Sequence, residues 1–584
     1  MSRRETLLCW SVALLTFVAA LACAAVPALA CTAVYVGKDV SGDGTTILAR
    51  SNDYQQLWAN RLEVVERVEN QPGRTMPIDR AGTVRVELPA TTYHYTATPW
   101  MDSAIEASEF GRDATACTNE YGLAMTMSVT GHTNDAALSA DGLVKDGLTE
   151  FTASDFVVCQ CQTARDAVKL LAHIIDEYGS SECNMALIAD QREAWYMEMY
   201  TGHQYAAVKL PTNKVAAFGN EFTLEYLADY EDSITSGDLE SLADDAGFAV
   251  RGRKGELNLF KTYSGQQVIS PYNHMRTWAG HRVLSASDDY ANFNNDDFYP
   301  LCFEPKGKVT VRDVMELMRN RFEGTEYCPD EDGRTDMRVI GTEIAMSVHV
   351  QQIYHDLPAR MACVTWECVG PAVYGVFVPL SNACVAPGES YNRNQPADET
   401  MSFDTDTYPY YAFKELNTLC SEFEDSRTYG EPVRKHWSKA EDAMVPTMRT
   451  VLGRAAKMKD AAASAYVNAY CNAVQEQAFA DAKELLNQVR WYSSLNSTSF
   501  KNLRDSQTGF TTEERRYPDP IKVKLDASVY AQVPDAQHLA ETGTSTNAAT
   551  GGAFDGHMAL VTAFLACVVV LLACIVAAVR RLRQ

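Results

Sequence analysis

The sequence predicts a layered α+β fold, because segments with strand character and segments with helix character occur in blocks. Short β-rich segments follow Cys31, a helical segment comes later, and further β-rich segments follow it. From about residue 408 to residue 494 the pattern becomes helical, with an alanine-rich stretch. Blocks of strands and helices are typical of layered α+β folds, whereas regular βαβ alternation would indicate a parallel sheet.

The predicted elements are short and are separated by polar turns. Residues 32–36 and 46–48 are β-rich and are joined through Ser41-Gly-Asp-Gly44, which predicts a hairpin. Ser154 and Asp155 predict a helix cap, and apolar residues recur at helical spacing over residues 163–178. The other predicted strands are 123–129, 185–189, 194–199, 204–208 and 215–218, with a β-rich segment over 361–379. We expect the four strands between residues 185 and 218 to form an antiparallel meander.

Both ends of the chain carry signals of export. Residues 1–30 have Arg3 and Arg4 near the start, an apolar centre, and the small-x-small sequence Ala28-Leu29-Ala30 of a signal-peptidase site. Residues 558–579 are uncharged and apolar over a length that spans a bilayer, and arginines follow directly. We therefore expect a signal peptide, a transmembrane helix and a short cytoplasmic tail.

A further motif concerns attachment to the cell surface. Leu539-Ala540-Glu541-Thr542-Gly543 is similar to the sortase motif L-P-x-T-G, with Ala540 at the proline position. Such a motif, an apolar span and a basic tail together resemble the cell-wall sorting signal of Gram-positive bacteria. Covalent wall attachment and simple membrane anchoring both remain open, and both predict an exported protein of a Gram-positive cell envelope.

The net charge and the spacing of the cysteines limit the classes of ligand that we expect this protein to bind. The net charge of −25 disfavours binding to nucleic acid. The 16 cysteines form no C-x-x-C motif, and the sequence has no H-E-x-x-H, so we expect neither a metal site nor a cofactor. Outside the cytosol some cysteines can pair, for example Cys363 with Cys368, or Cys159 or Cys161 with Cys183.

Cys31 is the residue most suited to chemistry. Cleavage after Ala30 makes it the first residue of the mature chain, so a thiol and a free α-amine stand on one residue. The α-amine has an intrinsic pKa of ~7.7–8.0 and the thiol ~8.5, so the amine can act as the base for the thiol near neutral pH. The predicted hairpin returns Arg50 and Asp53 towards Cys31, where the guanidinium can stabilise a thiolate and the carboxylate can hold the α-amine.

The chain resembles peptidase family C69, the cysteine N-terminal-nucleophile hydrolases called dipeptidase A. The resemblance begins with Cys31-Thr-Ala-Val-Tyr-Val-Gly-Lys38, Asp43-Gly44 and Ala49-Arg-Ser-Asn-Asp53, and it covers roughly residues 31–500. Bile-salt hydrolases and penicillin V acylases are more distantly similar. The later motifs are Thr118-Asn-Glu-Tyr-Gly-Leu123, Ala217-Phe-Gly-Asn220, Phe322-Glu-Gly-Thr325, Gly341-Thr-Glu343, Ser347-Val-His-Val-Gln351 and Val364-Thr-Trp-Glu-Cys-Val-Gly-Pro371.

The resemblance implies a four-layer αββα sandwich and the hydrolysis of dipeptides or small amides. It implies that Cys31 is the nucleophile, that Arg50 and Asp53 position its thiol and amine, and that Asn220 is an oxyanion donor. Arg276 matches a further family arginine, for which Arg282 is a competing candidate. The predicted segments are a signal peptide (1–30), a catalytic domain (31–405), a helical subdomain (406–504), a flexible linker (505–557), a transmembrane helix (558–579) and a basic tail (580–584).

Three alternatives remain open at this point. Cys31 is also suited to lipid modification, which would block both thiol and amine and would indicate a non-enzymatic surface lipoprotein. A papain-type cysteine–histidine hydrolase would need one of the 11 histidines near a cysteine, and His203 and His349 are more typical of packing or hydrogen-bonding residues. The same nucleophile also serves an amidase acting on N-acyl compounds, as in bile-salt or penicillin V acylases.

Overall fold

A computed structural model describes residues 31–54, 59–100, 113–129, 131–265, 271–332, 338–393, 403–421, 429–495 and 521–535. The predicted signal peptide, sortase-like motif, transmembrane helix and basic tail lie outside these residues. Within the described ranges, no helix is both long enough and apolar enough to cross a membrane.

The described strands form two main sheets and two small two-stranded sheets, β4-β7 and β5-β6. One sheet has the strand order β14-β1-β2-β16-β17-β18, and the other has the order β15-β13-β12-β11-β10-β9-β8-β3. All the recorded pairings in both sheets are antiparallel. The strands are β1 (Ala33–Val36), β2 (Thr46–Asp53), β3 (Glu63–Val65), β4 (Val68–Glu69), β5 (Thr75–Pro77), β6 (Arg85–Glu87), β7 (Thr91–Thr92), β8 (Tyr95–Trp100), β9 (Asp113–Asn119), β10 (Ala124–Val129), β11 (Asn184–Ala189), β12 (Ala194–Met199), β13 (Tyr205–Lys209), β14 (Val215–Phe218), β15 (Ser233–Thr235), β16 (Ala345–Ile353), β17 (Cys363–Val369) and β18 (Val378–Ser381).

Helices cover the outer face of each sheet. The helices of the described residues are α1 (Asp135–Ala140), α2 (Glu150–Val158), α3 (Ala164–Tyr178), α4 (Leu239–Asp245), α5 (Leu259–Tyr263), α6 (Pro271–Leu284), α7 (Val311–Leu317), α8 (Pro329–Asp332), α9 (Pro409–Ser421), α10 (Glu431–Ala455) and α11 (Asp460–Leu495). Helices α2 and α3 pack on the eight-stranded sheet, and α6, α7 and α9–α11 pack on the six-stranded sheet. The predicted mixture of strands and helices is confirmed.

Alternate residues of the central strands enter different hydrophobic clusters. Val34 and Ala49 belong to the cluster beneath α6, α7 and α9–α11, whereas Tyr35 and Leu48 belong to the cluster between the two sheets. Successive side chains of a strand point to opposite faces, so a strand that is covered on both faces buries every residue. The eight residues of β2 are all buried, and the last four of them, Arg50 to Asp53, are polar or charged.

The predicted hairpin is present, but its second strand is longer than expected. Strand β2 continues beyond Leu48 to Asp53, which extends the ladder with β16. Arg50 and Asp53 are therefore strand residues with fixed directions and are not part of a loop.

The predicted meander is correct for its first three strands and wrong for the fourth. Strands β11, β12 and β13 are consecutive neighbours, but β14 leaves that sheet and pairs with β1 of the other sheet. Phe218 stands opposite Ala33 in this ladder, so the residues after β14 emerge next to Cys31. The predicted cap at Ser154 and Asp155 is also wrong, because α2 begins at Glu150 and both residues lie inside it.

The C-terminal helices share the core of the six-stranded sheet. Residues of α9, α10 and α11 and residues of β16, β17 and β18 belong to one hydrophobic cluster. Residues 521–535 differ from the predicted flexible linker, because they pack on this cluster through Ile521 and Tyr530. The hydroxyl of Tyr530 donates to Asp481 Oδ2 at 2.9 Å. The buried side chains of Ile521 and Tyr530 attach this short segment to the core, although the neighbouring sequence is polar.

The structure excludes the suggested Cys363–Cys368 disulfide. Both cysteines lie in β17, five residues apart, so their Cα atoms are separated by roughly 16 Å along the strand. A disulfide needs Cα atoms within about 7 Å of each other. Cys159 and Cys161 lie in the segment between α2 and α3 and belong to the cluster under these helices, whereas Cys183 belongs to the cluster between the sheets, so the other suggested pairings are not supported.

A buried ionic network joins α10 to the body of the fold. Glu441 of α10 has a fully buried side chain and accepts hydrogen bonds from Arg319, Arg312 and the backbone N–H of Phe377. Arg319 also donates to the carbonyl oxygen of Ala372 at 2.8 Å. Removing one member of such a network leaves buried charges without their counterion.

We expect Glu441→Ala to lower the free energy of unfolding by about 3–5 kcal/mol, because Arg319 would remain buried without its main acceptor. The measurement is urea unfolding followed by tryptophan fluorescence. The matched control is Asp442→Ala, because Asp442 binds Arg312 at 3.0 Å but its side chain is 64% exposed, so its loss should change stability by about 1 kcal/mol or less. Equal effects of the two substitutions would contradict the role given to Glu441.

Candidate active site

Cys31 lies two residues before β1, the strand that pairs with β14 on one side and with β2 on the other. Its neighbour Thr32 exchanges two hydrogen bonds with Ser51: the backbone N–H of Ser51 donates to the Thr32 carbonyl at 2.9 Å, and the Thr32 N–H donates to Ser51 Oγ at 3.0 Å. Cys31 is only 4% exposed. Hydrogen bonds to β2 therefore fix the backbone next to Cys31, and Cys31 itself is buried.

Arg50 of β2 lies beside the Cys31 thiol. It stands opposite Ala33 in the ladder, and its Nη2 donates to Cys31 Sγ at 3.1 Å. The same Nη2 donates to Glu150 Oε1, which forms a nearly buried ion pair. A guanidinium at this distance favours the thiolate form of a cysteine.

Asn220 lies on the other side of Cys31, in the loop after β14. Its Oδ1 accepts from the backbone nitrogen of Cys31 at 2.6 Å and from Arg276 Nη2 at 2.8 Å. These two bonds fix the orientation of the amide, so its Nδ2 is the donor group that faces away from Arg276. With residue 30 attached, the Cys31 nitrogen is a peptide N–H; after cleavage it would be an amine.

Arg276 of α6 joins the two sides of this arrangement. It is fully buried and donates to the Cys31 carbonyl, to Thr32 Oγ1 at 3.1 Å and to Asn220. Burial, followed by the nearby charge of Arg338, lowers the pKa of Arg276 to about 10, so the group stays protonated at neutral pH. Arg282, the competing candidate, points to the carbonyl of Glu323 and stacks over Trp278.

Asp53 lies close to Arg276 and Arg338 and is fully buried. Burial raises the pKa of Asp53, and the charges of Arg338 and Arg276 oppose that rise. Its Oδ2 is 3.5 Å from Arg338 Nη2, and its Oδ1 has no hydrogen-bond partner within the described ranges. The backbone nitrogen of Cys31 binds Asn220, so the expected contact between Asp53 and this nitrogen is not present with the amide intact.

The loop that carries Asn220 is held from two sides. Glu198 accepts from the backbone N–H groups of Thr223 and Leu224 at 2.7 and 3.1 Å. Glu221 accepts from Thr277 of α6 and contacts His274 at 3.0 Å. These contacts tie the loop to the eight-stranded sheet and to α6, so the amide of Asn220 has little freedom to move.

Gly219 is required by the close approach of α6. A Cβ at this position would lie 2.6 Å from the carbonyl oxygen of Asn273, which is a steric clash. The absence of a side chain allows Asn273 Nδ2 to donate to the carbonyl oxygen of Asn220 at 3.0 Å.

The histidines have other contacts. His349 stands opposite Arg50 in the ladder, and its Nε2 contacts Thr126 Oγ1 at 2.9 Å. Burial and the charge of Arg50 hold the pKa of His349 well below its usual range, so the ring is neutral at pH 7. His203 binds Asp141 through its Nδ1 at 2.9 Å. These contacts give a papain-type cysteine–histidine pair no support.

The structure brings Cys31, Arg50, Asn220 and Arg276 into direct contact, and it places Asp53 in the same charged group. Their catalytic roles stay predictions.

Sequence reasoning missed Glu150 and Glu198. The signal for Glu150 was indirect: a buried arginine needs a carboxylate partner, but 100 residues separate the two. In the part of the chain that the structure describes, no group of three or more His, Cys, Asp or Glu side chains could hold a metal ion.

Comparisons with known proteins add an independent line of observation. The family model described as peptidase family C69 matches residues 30–432. A probable dipeptidase B of Streptococcus pyogenes serotype M1 is 29% identical over 406 residues, covering 67% of this chain and 78% of the relative. A probable dipeptidase B of Lactococcus lactis subsp. lactis is 29% identical over 371 residues, covering 62% and 76%.

A solved structure of the conjugated bile acid hydrolase from Clostridium perfringens is also similar. It is 9% identical, covers 58% of this chain and 89% of its own, and superposes with a TM-score of 0.28. A TM-score this low does not establish a common fold.

Proposed function

The chain belongs to peptidase family C69, and we propose that it is an exported cysteine dipeptidase of the N-terminal-nucleophile type. The observation that supports this most is the pair of contacts made by Cys31. Arg50 holds its sulfur at 3.1 Å, and Asn220 holds its backbone nitrogen at 2.6 Å. A residue whose thiol and α-nitrogen are both positioned is suited to act as nucleophile and base together.

The proposed reaction begins with the mature chain. The α-amine of Cys31 takes the thiol proton, and the thiolate attacks the peptide carbonyl to form a carbon–sulfur bond. The tetrahedral intermediate collapses, and the leaving amine receives the proton from the α-ammonium group. The α-amine then takes a proton from water, whose oxygen attacks the thioester. The thiol regains its proton as the carbon–sulfur bond breaks and the second product leaves.

The surrounding charges are suited to these steps. Arg50 would stabilise the thiolate, and Asn220 Nδ2 would donate to the oxyanion. Asp53 would offset the positive charge of the α-ammonium group. Arg276 would hold both Asn220 and the Cys31 carbonyl in place, because it donates to each of them. The four-layer αββα arrangement of N-terminal-nucleophile hydrolases fits the two sheets with helices on both outer faces.

We expect Asn220→Ala to lower kcat by about 10²–10³-fold, because one oxyanion donor would be lost. KM should change much less, since the ground-state carbonyl needs this donor less than the oxyanion does. Steady-state kinetics on a dipeptide provide the measurement. An unchanged kcat would remove Asn220 from the oxyanion site.

The substrate class is tested with a panel of unblocked dipeptides, N-acyl amino acids and conjugated bile salts. We expect turnover of the unblocked dipeptides and the highest kcat/KM for one of them. Activity confined to N-acyl compounds or bile salts would replace the dipeptidase with an amidase that uses the same nucleophile.

We also propose that the enzyme is exported and anchored at the cell surface of a Gram-positive bacterium. Support comes from the sequence of residues 1–30, from the apolar run over residues 558–579 and from the sortase-like motif. The mature N-terminus should read Cys-Thr-Ala-Val, as determined by mass spectrometry of the N-terminal peptide. A lipid-modified Cys31 or a different first residue would overturn the proposed mechanism.

A further inference from the structure

The Glu150 carboxylate pairs with Arg50 and, through this shared arginine, lies close to the proposed nucleophile Cys31. Cys31, Arg50 and Glu150 are 4%, 1% and 6% exposed, so all three are buried. Arg50 contacts both the thiol of Cys31 and the carboxylate of Glu150. One of these groups is the proposed nucleophile, and the other is a carboxylate.

Geometry limits the separation of these two groups. Cys31 Sγ and Glu150 Oε1 are bound to the same nitrogen of Arg50. Two acceptors on one nitrogen lie within about 6 Å of each other, because each hydrogen bond spans about 3 Å. The Glu150 carboxylate oxygen thus lies within about 6 Å of the Cys31 sulfur.

A dipeptide has a charged group at this distance from its reacting carbon. An attacking sulfur approaches the carbonyl carbon to about 3–3.5 Å, and the α-nitrogen of the same residue lies about 2.5 Å from that carbon. The α-ammonium group of an unblocked dipeptide can therefore reach Glu150 when Cys31 is in position to attack. An N-acyl substrate has a neutral amide at the same point.

The first turn of α2 is held by Glu182. Glu182 accepts from Thr149 Oγ1 and from the backbone N–H of Glu150, both at 3.1 Å. Asn184 in turn donates to Glu182 at 3.2 Å. These contacts fix the backbone from which the Glu150 carboxylate extends.

We infer that Glu150 binds the free α-ammonium group of the substrate and makes the enzyme selective for unblocked dipeptides. This inference rests on the proposed dipeptidase function and goes beyond it, because it assigns the selectivity to one side chain. Arg50 then has two tasks: it stabilises the thiolate and orients the carboxylate that receives the substrate.

The test compares a good dipeptide with its N-acetyl form in the wild type and in Glu150→Gln. We expect kcat/KM for the free dipeptide to fall by about 10–100-fold, mainly through KM, because a charge-assisted contact is lost. The N-acetyl form should lose about threefold or less, so the preference for the free amine collapses. Glu304→Gln removes one carboxylate from a side chain that is 74% exposed, and it should leave the preference unchanged.

Equal losses for both substrates would overturn the inference, because Glu150 would then act only by holding Arg50. Wild-type enzyme that hydrolyses only blocked substrates would instead overturn the proposed function, and the inference with it. The two failures are therefore distinguishable.

A measurement on the wild type covers the case in which Glu150→Gln does not fold. The α-amine of a dipeptide loses its charge as the pH rises through roughly 8. KM for the free dipeptide should therefore rise above that pH relative to KM for its N-acetyl form, since titration of the enzyme affects both substrates. A constant ratio of the two KM values from pH 6.5 to 9 would contradict recognition of the ammonium group.

Discussion

Cys31→Ala is expected to abolish dipeptide hydrolysis while the fold stays intact. The substitution removes the sulfur that Arg50 holds at 3.1 Å, which is the proposed nucleophile. Loss of the nucleophile in a well-studied serine protease lowers kcat by about 10⁶-fold, and we expect a loss of at least about 10⁴-fold here. Single-turnover assays at high enzyme concentration provide the measurement, with urea unfolding as the check on folding.

The matched control is Cys302→Ala, which also removes one thiol. Burial raises the pKa of Cys302 to about 12, so this thiol is protonated and inert at neutral pH. The control should retain wild-type kcat. Turnover retained by Cys31→Ala, or lost equally in both variants, would point to a different nucleophile.

The second large effect concerns the α-amine of Cys31. A chain that keeps Ala30 in front of Cys31 has the same thiol, but its nitrogen is an amide and cannot accept a proton. We expect kcat to fall by about 10²–10⁴-fold relative to the chain that begins at Cys31, because general-base catalysis is lost. Steady-state kinetics on the two purified forms provide the measurement.

Alkylation of the thiol separates loss of the base from loss of the nucleophile. Arg50 is present in both forms, so iodoacetamide should still react with Cys31 in the extended chain. For the mature chain, kcat/KM should rise with pH through the α-amine pKa of roughly 7.7–8.0, because the base must be unprotonated. Equal activity of the two forms would show that the base lies elsewhere.

The parts of the site that local sequence could predict are those close together in the chain. The Ser41–Gly44 turn determines the hairpin, and the hairpin brings Arg50 next to Cys31. The strand pattern over Val215–Phe218 and the following Gly219-Asn220 were visible as well. Their proximity to Cys31 was not, because nothing local shows that β14 leaves one sheet and joins the other. The resemblance to peptidase family C69 implied the role of Asn220 but not the pairing of β14 with β1.

Glu150 shows why the remaining site could not be predicted. The residues Ser154 and Asp155 gave a stronger capping signal than Thr149, so the helix was expected to begin one turn later. Thr149 makes no side-chain capping bond to the helix, and the backbone N–H of Glu150 instead donates to the side chain of Glu182 at 3.1 Å. The residues that bury Arg50 therefore come from a part of the chain where local propensity misleads.

The buried backbone of Cys31 has a consequence for the order of events in the cell. A peptidase that cuts after Ala30 needs the bond in an extended and accessible chain, but in the fold the Cys31 nitrogen is bound to Asn220 and Arg276 covers the adjoining carbonyl. If the leader is removed as we propose, the cut would have to come before β1 is inserted between β2 and β14. Leader removal and folding would then compete in time.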